Sequence, residues 1–228
     1  MEEWMIFNTS PHPLMETSMN LVPVDTGASL FLRHSTRYAI PERTSGAAIP
    51  LTPEGIEMVR NWAQTLPFSV SGIYSSSMGR CMETGRIIME TLGLKTDVIP
   101  LPILKEPGAF VENIRQAGTI FLEVGPLGLI NLQLQGELIP GVIPLSQGVP
   151  RIISQCPPAK NARELNIYIT HDTVISCLAY YLSGITTLSP EMWPWMLEGL
   201  FCWNSGENFH WAWRGQSGAM PLSKLYQE

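Results

Sequence analysis

A short segment near residue 30 concentrates side chains suited to phosphate chemistry. The apolar run from Leu30 to Leu32 is followed at once by Arg33 and His34, and Arg37 comes three positions later. Guanidinium groups match phosphate oxygens, and an imidazole can serve as a nucleophile, a proton carrier or a ligand. Two neighbouring like charges are expected where a bound anion offsets their repulsion. The segment indicates an anion site, although this pattern alone also fits surface charges at a strand end.

A second apolar segment ends in a histidine in the same way. The residues 164–170 have the composition of a buried strand, and His171 and Asp172 follow directly. In parallel α/β sheets the carboxyl ends of the strands share one edge, and ligands bind there. We therefore expect His34 and His171 to lie close together.

Arg80 is the third arginine that the pattern places near this edge. A short strand at 70–74 runs into the serines at 75–77, which can cap a helix of roughly Gly79 to Leu92. Arg80 then lies in the first turn, where free N–H groups and the helix dipole already favour anions. Arg80 in this position is expected to strengthen the binding of a phosphate group.

Strand and helix patterns alternate along the chain. Strands are predicted at 28–32, 70–74, 97–101 and 164–170. Helices are predicted to begin at Pro53 and at Gly79 and to cover 173–183, and the segments 197–203 and 209–214 are predicted to form a hairpin at the edge of the sheet. This alternation is typical of β-α-β units and an α/β fold. Residues 1–27 are predicted to form an irregular arm. Residues 107–160 are predicted to be an insertion with short helical pieces, which could line a substrate pocket or pack on the core; we favour packing.

Composition excludes several function classes. The chain has 228 residues, enough for a single large α/β domain, and a net charge of −6 with few basic residues, which argues against a nucleic-acid or polybasic membrane surface. Its four cysteines lack zinc-site spacing and are expected to be reduced, so no metal or other cofactor is predicted. The N-terminus lacks the features of a secretory signal, and Gly, Pro and Glu interrupt the apolar region 119–145. We expect a cytoplasmic protein without a membrane partner.

Four motifs in order resemble the histidine phosphatase superfamily, whose fold is phosphoglycerate mutase-like. The motifs are L-R-H-S-T-R at 32–37, L-T-P-E-G at 51–55, S-S-S-M-G-R-C-M-E-T at 75–84 and T-H-D-T at 170–173. The resemblance covers most of residues 28–184 and implies a three-layer α/β/α fold with a mostly parallel central sheet. It also implies hydrolysis of a phosphate ester, carried either by a small molecule or by a phosphoprotein.

The resemblance assigns roles residue by residue. It implies that His34 accepts the phosphoryl group, that Arg33, Arg37 and Arg80 bind the phosphate, and that His171 donates to the transferring group. Physical chemistry agrees with this allocation, because phosphoryl transfer mainly needs in-line positioning and compensation of the charge on the phosphoryl oxygens.

Two carboxyl groups are candidates for the proton donor to the leaving oxygen. Compact members of the family use a glutamate soon after the third strand, which matches Glu106, whereas the acid-phosphatase branch uses the aspartate of the H-D-T motif, which matches Asp172. The size of the chain favours Glu106 by a small margin. One departure from the family is Ser35, which stands where a glycine usually follows the nucleophile.

Three rival functions remain open at this stage. The His171–Asp172 pair is also the hallmark of metal-dependent phosphohydrolases, although further metal ligands are scarce. Ser35 and the split donor pattern are compatible with a phosphate-binding protein that has no activity. A phosphomutase would need extra basic residues to hold a second anionic group, and the insertion offers little beyond Arg115 and Arg151. We therefore predict a phosphatase.

Overall fold

The computed structural model describes residues 8–40, 46 and 48–225, so the first seven residues of the predicted N-terminal arm lie outside the description. One sheet of seven strands organises the chain, in the order β3-β2-β4-β1-β5-β6-β7. The strands are β1 (Ala28–Arg33), β2 (Ser69–Ser75), β3 (Ile99–Pro100), β4 (Glu164–Thr170), β5 (Gly199–Ser205), β6 (Asn208–Trp213) and β7 (Gln216–Pro221).

Helices cover both faces of this sheet. They are α1 (Met15–Met19), α2 (Pro53–Ala63), α3 (Gly79–Thr91), α4 (Ile114–Leu134), α5 (Leu145–Gln155), α6 (Asp172–Leu182) and α7 (Leu222–Leu225), with short 3-10 turns at Pro102–Leu104 and Pro190–Met192. The predicted α/β fold with helix, sheet and helix layers is confirmed.

The sheet has a parallel half and an antiparallel half. Strands β3, β2, β4 and β1 pair in parallel, whereas β5, β6 and β7 continue the sheet in antiparallel pairs from β1. Parallel strands are buried on both faces, and all six residues of β1 are buried. The motif segment thus begins at the end of a fully buried strand.

Side-chain alternation along β1 divides the core into two layers. Leu30 and Leu32 pack with α2 and α3 on one face, whereas Phe31 packs with α5 and α6 on the other. The pleat therefore directs Arg33 toward the face of α6, and His34, one residue later, lies against α3.

Most predicted strands and helices are confirmed within one or two residues, but two strands differ, and α1 lies within the predicted irregular arm. The third strand is only two residues long instead of covering 97–101. Strand β7 was not predicted, because Gln216–Pro221 has no apolar run, and its conformation depends on pairing with β6. The hairpin of β5 and β6 is therefore not at the edge of the sheet; β7 is.

The insertion contains two helices that are longer than the predicted short pieces. Helix α4 continues through a kink at Gly125, which has φ 70°, followed by Pro126. Within the described residues, α4 is the one helix with enough length and apolar composition to cross a membrane, and 22% of its most apolar window is buried. Core helices of soluble proteins, which are mostly buried, have the same length and apolar composition, so length and composition are weak evidence for a membrane span.

Candidate active site

The two histidines meet at the carboxyl edge of the parallel half, as expected. Strands β1 and β4 are adjacent, with Arg33 opposite Thr170, so His34 and His171 leave the sheet side by side. Their ring centroids are 5.6 Å apart at an interplanar angle of 68°. The sheet topology thus brings together two residues that are 137 positions apart in the sequence.

The His34 ring is oriented by a hydrogen bond at each nitrogen. Its side chain is buried, with 2% exposure, and Nδ1 lies 2.8 Å from the Ser35 carbonyl oxygen, to which it donates. Arg80 Nε donates to Nε2 at 2.9 Å, so Nε2 carries the lone pair. Burial, then Arg33, His171 and Arg80, hold the pKa of His34 well below its usual value. The ring is neutral and Nε2 is available as a nucleophile once Arg80 turns to a ligand.

Three guanidinium groups surround this ring. Arg33 donates through Nη2 to Asp172 Oδ2 at 2.6 Å and through Nη1 to the Pro194 carbonyl, and Arg37 Nη1 donates to the Tyr38 carbonyl at 2.9 Å. The pKa of Arg37 falls to about 10 through burial and the nearby Arg80 and Arg33 charges.

Among the described residues, Nε of Arg33 and Nε of Arg37 are buried without a hydrogen-bond partner. A buried guanidinium donor without a partner is costly, and an oxyanion would satisfy it. These two donors therefore support the predicted phosphate site.

His171 is held between α3 and the end of β2. Its Nε2 lies 2.9 Å from Ser76 Oγ, and Arg80 Nη2 lies 3.3 Å from its Nδ1. Burial, then the Arg80 charge, lowers the pKa of His171 to about 4 against the opposing effect of Asp172. The serines at 75–77 were predicted to cap α3, but its N-cap is Met78 without a side-chain cap bond. The Ser76 side chain instead contacts the His171 ring.

Ser35 does not disturb the loop that follows the nucleophile. Its hydroxyl donates to the Gly55 carbonyl at 2.8 Å, and its N–H donates to Thr84 Oγ1 at 3.2 Å. A Cβ at Gly55 would lie 2.2 Å from the Thr36 carbonyl oxygen, so only glycine permits this contact. The second and third motifs therefore pack directly against the first.

The two candidate proton donors differ in their environment. Glu106 accepts from the N–H groups of Phe110 at 3.2 Å and Val111 at 2.9 Å, yet its burial outweighs these bonds and raises its pKa to about 7. A substantial fraction of Glu106 is thus protonated at neutral pH. This is the state that a general acid requires.

Asp172 is held in its ionised form. Burial alone would raise its pKa, but Arg33, His171 and the N–H of Thr173 outweigh burial and lower it. The carboxylate forms an ion pair with Arg33 and has no proton to give near neutral pH. Its position instead fixes the Arg33 guanidinium beside His34.

A cavity of about 550 Å³ opens beside these groups. Arg80, Glu106, His171 and Asp172 line one end, and α4 and α6 supply most of the remaining wall. Helix α5 packs into the core as expected. Helix α4 does both: Ile130 belongs to the core, and Ala117, Leu129 and Gln133 are also buried, while other α4 residues line the cavity.

The described residues offer neither the metal ligands that a metal-dependent phosphohydrolase needs nor cations beyond Arg80 and Lys105 in this cavity that a phosphomutase would use. Among the described residues, no three His, Cys, Asp or Glu side chains are grouped as metal ligands, and Asp172 faces Arg33. Arg151 lines a separate pocket with Glu112, and Arg115 lines neither. The four cysteines are buried and free, and burial raises the pKa of Cys81 to about 12.

Comparisons with solved structures agree with this fold. The mycobacterial glucosyl-3-phosphoglycerate phosphatase has TM-score 0.55 and 17% identity, with 84% of this chain and 100% of that chain covered. A phosphoglycerate mutase from Bacillus anthracis has TM-score 0.52 and 16% identity, with 89% and 97% covered. Bacillus stearothermophilus YhfR has TM-score 0.54 and 17% identity, with 83% and 96% covered.

At these identities the structural likeness establishes the fold, which is phosphoglycerate mutase-like. A search of curated protein sequences found no match. The family model for the histidine phosphatase superfamily, branch 1, matches residues 30–110, a range that includes His34, Arg33, Arg37, Arg80 and Glu106. The chain is therefore similar to the histidine phosphatase superfamily over residues 30–110, and its fold as a whole is phosphoglycerate mutase-like.

Proposed function

We propose that this protein is a phosphatase that hydrolyses phosphate monoesters through a covalent phosphohistidine on His34. One observation carries the proposal: a neutral His34 presents an unprotonated Nε2 among three arginines, two of which keep a buried donor without a partner. Arg33, Arg37 and Arg80 bind the phosphoryl oxygens, and His171 donates to the same group. No metal is needed for this chemistry.

In the first step, His34 Nε2 attacks phosphorus while the ester P–O bond breaks. Arg80 exchanges its bond to Nε2 for bonds to the phosphoryl oxygens. Protonated Glu106 gives its proton to the departing alkoxide, which leaves as the alcohol. Nδ1–H keeps donating to the Ser35 carbonyl and stabilises the charge that develops on the phosphorylated ring.

In the second step, water attacks the phosphohistidine and inorganic phosphate leaves. The Glu106 carboxylate takes a proton from this water, which restores its protonated form, and the P–N bond breaks to regenerate neutral His34. Dividing hydrolysis into two displacements is the general advantage of nucleophilic catalysis. A pKa near 7 suits Glu106 to both proton transfers.

A phosphatase is preferred to a phosphomutase because of the cavity's charge. The described cations that line it are Arg80, which the phosphoryl group occupies, and Lys105. Arg115 and Arg151, the candidates for holding a second anionic group, lie outside this cavity. Water is therefore the favoured acceptor. Interconversion of phosphoglycerates faster than phosphate release would contradict this choice.

The test is phosphate release from p-nitrophenyl phosphate by the wild type, His34→Ala and a matched control, His210→Ala, in EDTA. His210 stacks on Trp203 in the antiparallel half, away from the site. We expect activity in EDTA that His34→Ala lowers by at least about 10⁴-fold and His210→Ala leaves unchanged. Equal activity of all three proteins would exclude His34 as the nucleophile, and loss of activity in EDTA would favour metal-dependent chemistry.

A further inference from the structure

We propose that the substrate is a phosphate monoester of an extended, uncharged, apolar alcohol that carries one hydrogen-bond acceptor toward its far end. The alcohol lies in the cavity between α4 and α6, and its phosphate lies against His34. This inference rests on the proposed function for its chemistry, but its binding component can be measured separately.

The cavity wall beyond the phosphate end is apolar. Its volume of about 550 Å³ is in the range of sites for small molecules. The residues of this wall include Phe110, Ile114, Phe121, Leu129, Ile130 and Val174. Glu106 also lines this cavity, so the alcohol that receives its proton departs into the apolar space.

A highly polar leaving group would be poorly matched to this wall. A sugar, a nucleoside or a phosphopeptide brings several hydroxyl or amide groups, and burying each one without a partner is unfavourable. A glycerate carboxylate would have Lys105 as its remaining cation among the described lining residues. An apolar alcohol instead gains free energy in proportion to the area that it buries.

Gln133 supplies a polar contact on the α4 side of the cavity. Its side chain is 7% exposed, and among the described residues its Nε2 has no hydrogen-bond partner. Cys177 Sγ lies 3.6 Å from Gln133 Oε1, and Cys177 is five residues beyond Asp172 on α6, about 7 Å along the helix axis. A carbonyl or ether oxygen about 7 Å from the phosphate would accept a hydrogen bond from Gln133 Nε2.

Helix α4 has apolar side chains that the protein itself leaves uncovered. Ile114 and Phe121 line the cavity yet are 55% and 40% exposed. Both are accessible to a ligand that extends along the helix. Leu122, at 86% exposure, lies on the same helix but does not line the cavity, which makes it a matched control.

The main experiment measures kcat/KM for ethyl, butyl, hexyl and octyl phosphate below their micelle-forming concentrations, with glucose 6-phosphate for comparison. We expect kcat/KM to rise about threefold to fourfold per added methylene until the cavity is filled. In Ile114→Asn and Phe121→Asn the slope with chain length becomes shallower, whereas Leu122→Asn keeps the wild-type slope. No dependence on chain length, or a preference for glucose 6-phosphate, would overturn the inference.

Calorimetric binding of alkyl phosphonates separates this inference from the catalytic proposal. These compounds keep the phosphorus group and the alkyl chain but cannot be hydrolysed. Tighter binding with longer chains, without turnover of any ester, supports the ligand class and refutes the proposed phosphatase activity. Turnover of p-nitrophenyl phosphate without chain-length dependence in either assay supports the activity and refutes the ligand class.

The Gln133 contact is tested with 5-oxohexyl phosphate against hexyl phosphate. We expect the wild type to favour the oxo compound by roughly twofold to tenfold in kcat/KM, and Gln133→Met to lose that preference while still hydrolysing hexyl phosphate. An unchanged preference in Gln133→Met would refute the assigned contact.

Turnover of phosphatidate in phosphatidylcholine vesicles, compared with turnover of octyl phosphate, distinguishes a lipid substrate from a soluble ester. Turnover that falls in Leu122→Asn only on vesicles indicates a lipid presented by a bilayer. Turnover of octyl phosphate without turnover of phosphatidate indicates a soluble ester.

Discussion

The two ends of the cavity are built by different means. At the phosphate end, strand ends and helix starts hold His171, which lines the cavity, and His34 and Arg33, which lie beside it, through hydrogen bonds to neighbouring backbone and side chains. All three are buried or nearly so. At the insertion end, α4 contributes apolar side chains that are partly exposed, with Gln133 as the polar exception. One end is polar and tightly constrained, and the other is apolar and open.

This difference separates chemistry from substrate choice. The buried sheet positions the groups that transfer the phosphoryl group, and any movement there would break several bonds at once. The insertion makes few directional contacts with the ligand site, so it can differ without disturbing the catalytic groups. The predictions below test this division by changing residues at the phosphate end and where the two ends meet.

Apart from loss of the nucleophile His34, the largest effect is expected at Glu106, which lies where the two ends meet. Glu106→Gln removes the proton donor and should lower kcat for hexyl phosphate by about 10²- to 10⁴-fold, with a smaller loss for p-nitrophenyl phosphate, whose leaving group needs less protonation. In the wild type, kcat should fall as pH rises through about 7, because Glu106 then loses its proton. Steady-state kinetics from pH 5 to about 9 measure the loss of kcat in Glu106→Gln and the pH dependence of kcat in the wild type.

Asp172→Asn is the matched comparison for this prediction. Because Asp172 is already ionised, its loss should lower kcat less than Glu106→Gln does and should leave the fall near pH 7 in place. A loss of the alkaline fall in Asp172→Asn, with the fall retained in Glu106→Gln, would assign the donor to Asp172.

An intermediate effect is expected from the buried ion pair. Arg33→Met leaves the Asp172 carboxylate without its guanidinium partner in a largely buried site, which should lower the free energy of unfolding by about 3 kcal/mol. Arg60→Met breaks an exposed ion pair with Glu57 and should cost less than about 1 kcal/mol. Urea denaturation at pH 7 compares the two. Equal losses would show that the phosphate end is less constrained than its contacts indicate.

The smallest effect is expected at Ser35. Ser35→Gly introduces the residue usual for the family and removes the hydroxyl bond to the Gly55 carbonyl, so the free energy of unfolding should fall by about 1 kcal/mol. Its kcat should stay within about threefold of the wild type, since the N–H bond to Thr84 remains. Thermal denaturation and p-nitrophenyl phosphate kinetics give the two values. A large gain in kcat would mean that serine distorts the nucleophile loop.

Sequence pattern was sufficient for the parallel half of the sheet and for most of the phosphate end. Buried parallel strands have continuous apolar runs, so β1 and β4 could be located, and the shared carboxyl edge followed from their parallel direction. His34, His171 and Arg80 could be placed together for this reason. The motif resemblance added their roles, and the size of the chain favoured Glu106.

Tertiary structure decided what depends on contacts between distant segments. Strand β7 has no apolar signal and exists through its pairing with β6, and α4 lines the cavity because of how its kinked length lies over α6. The difference in pKa between Glu106 and Asp172 also depends on tertiary structure, since in the sequence both are carboxyl groups near a strand end. Burial outweighs the backbone N–H bonds and the Arg151 charge and raises the pKa of Glu106, whereas Arg33, 139 positions from Asp172 in the chain, lowers the pKa of Asp172.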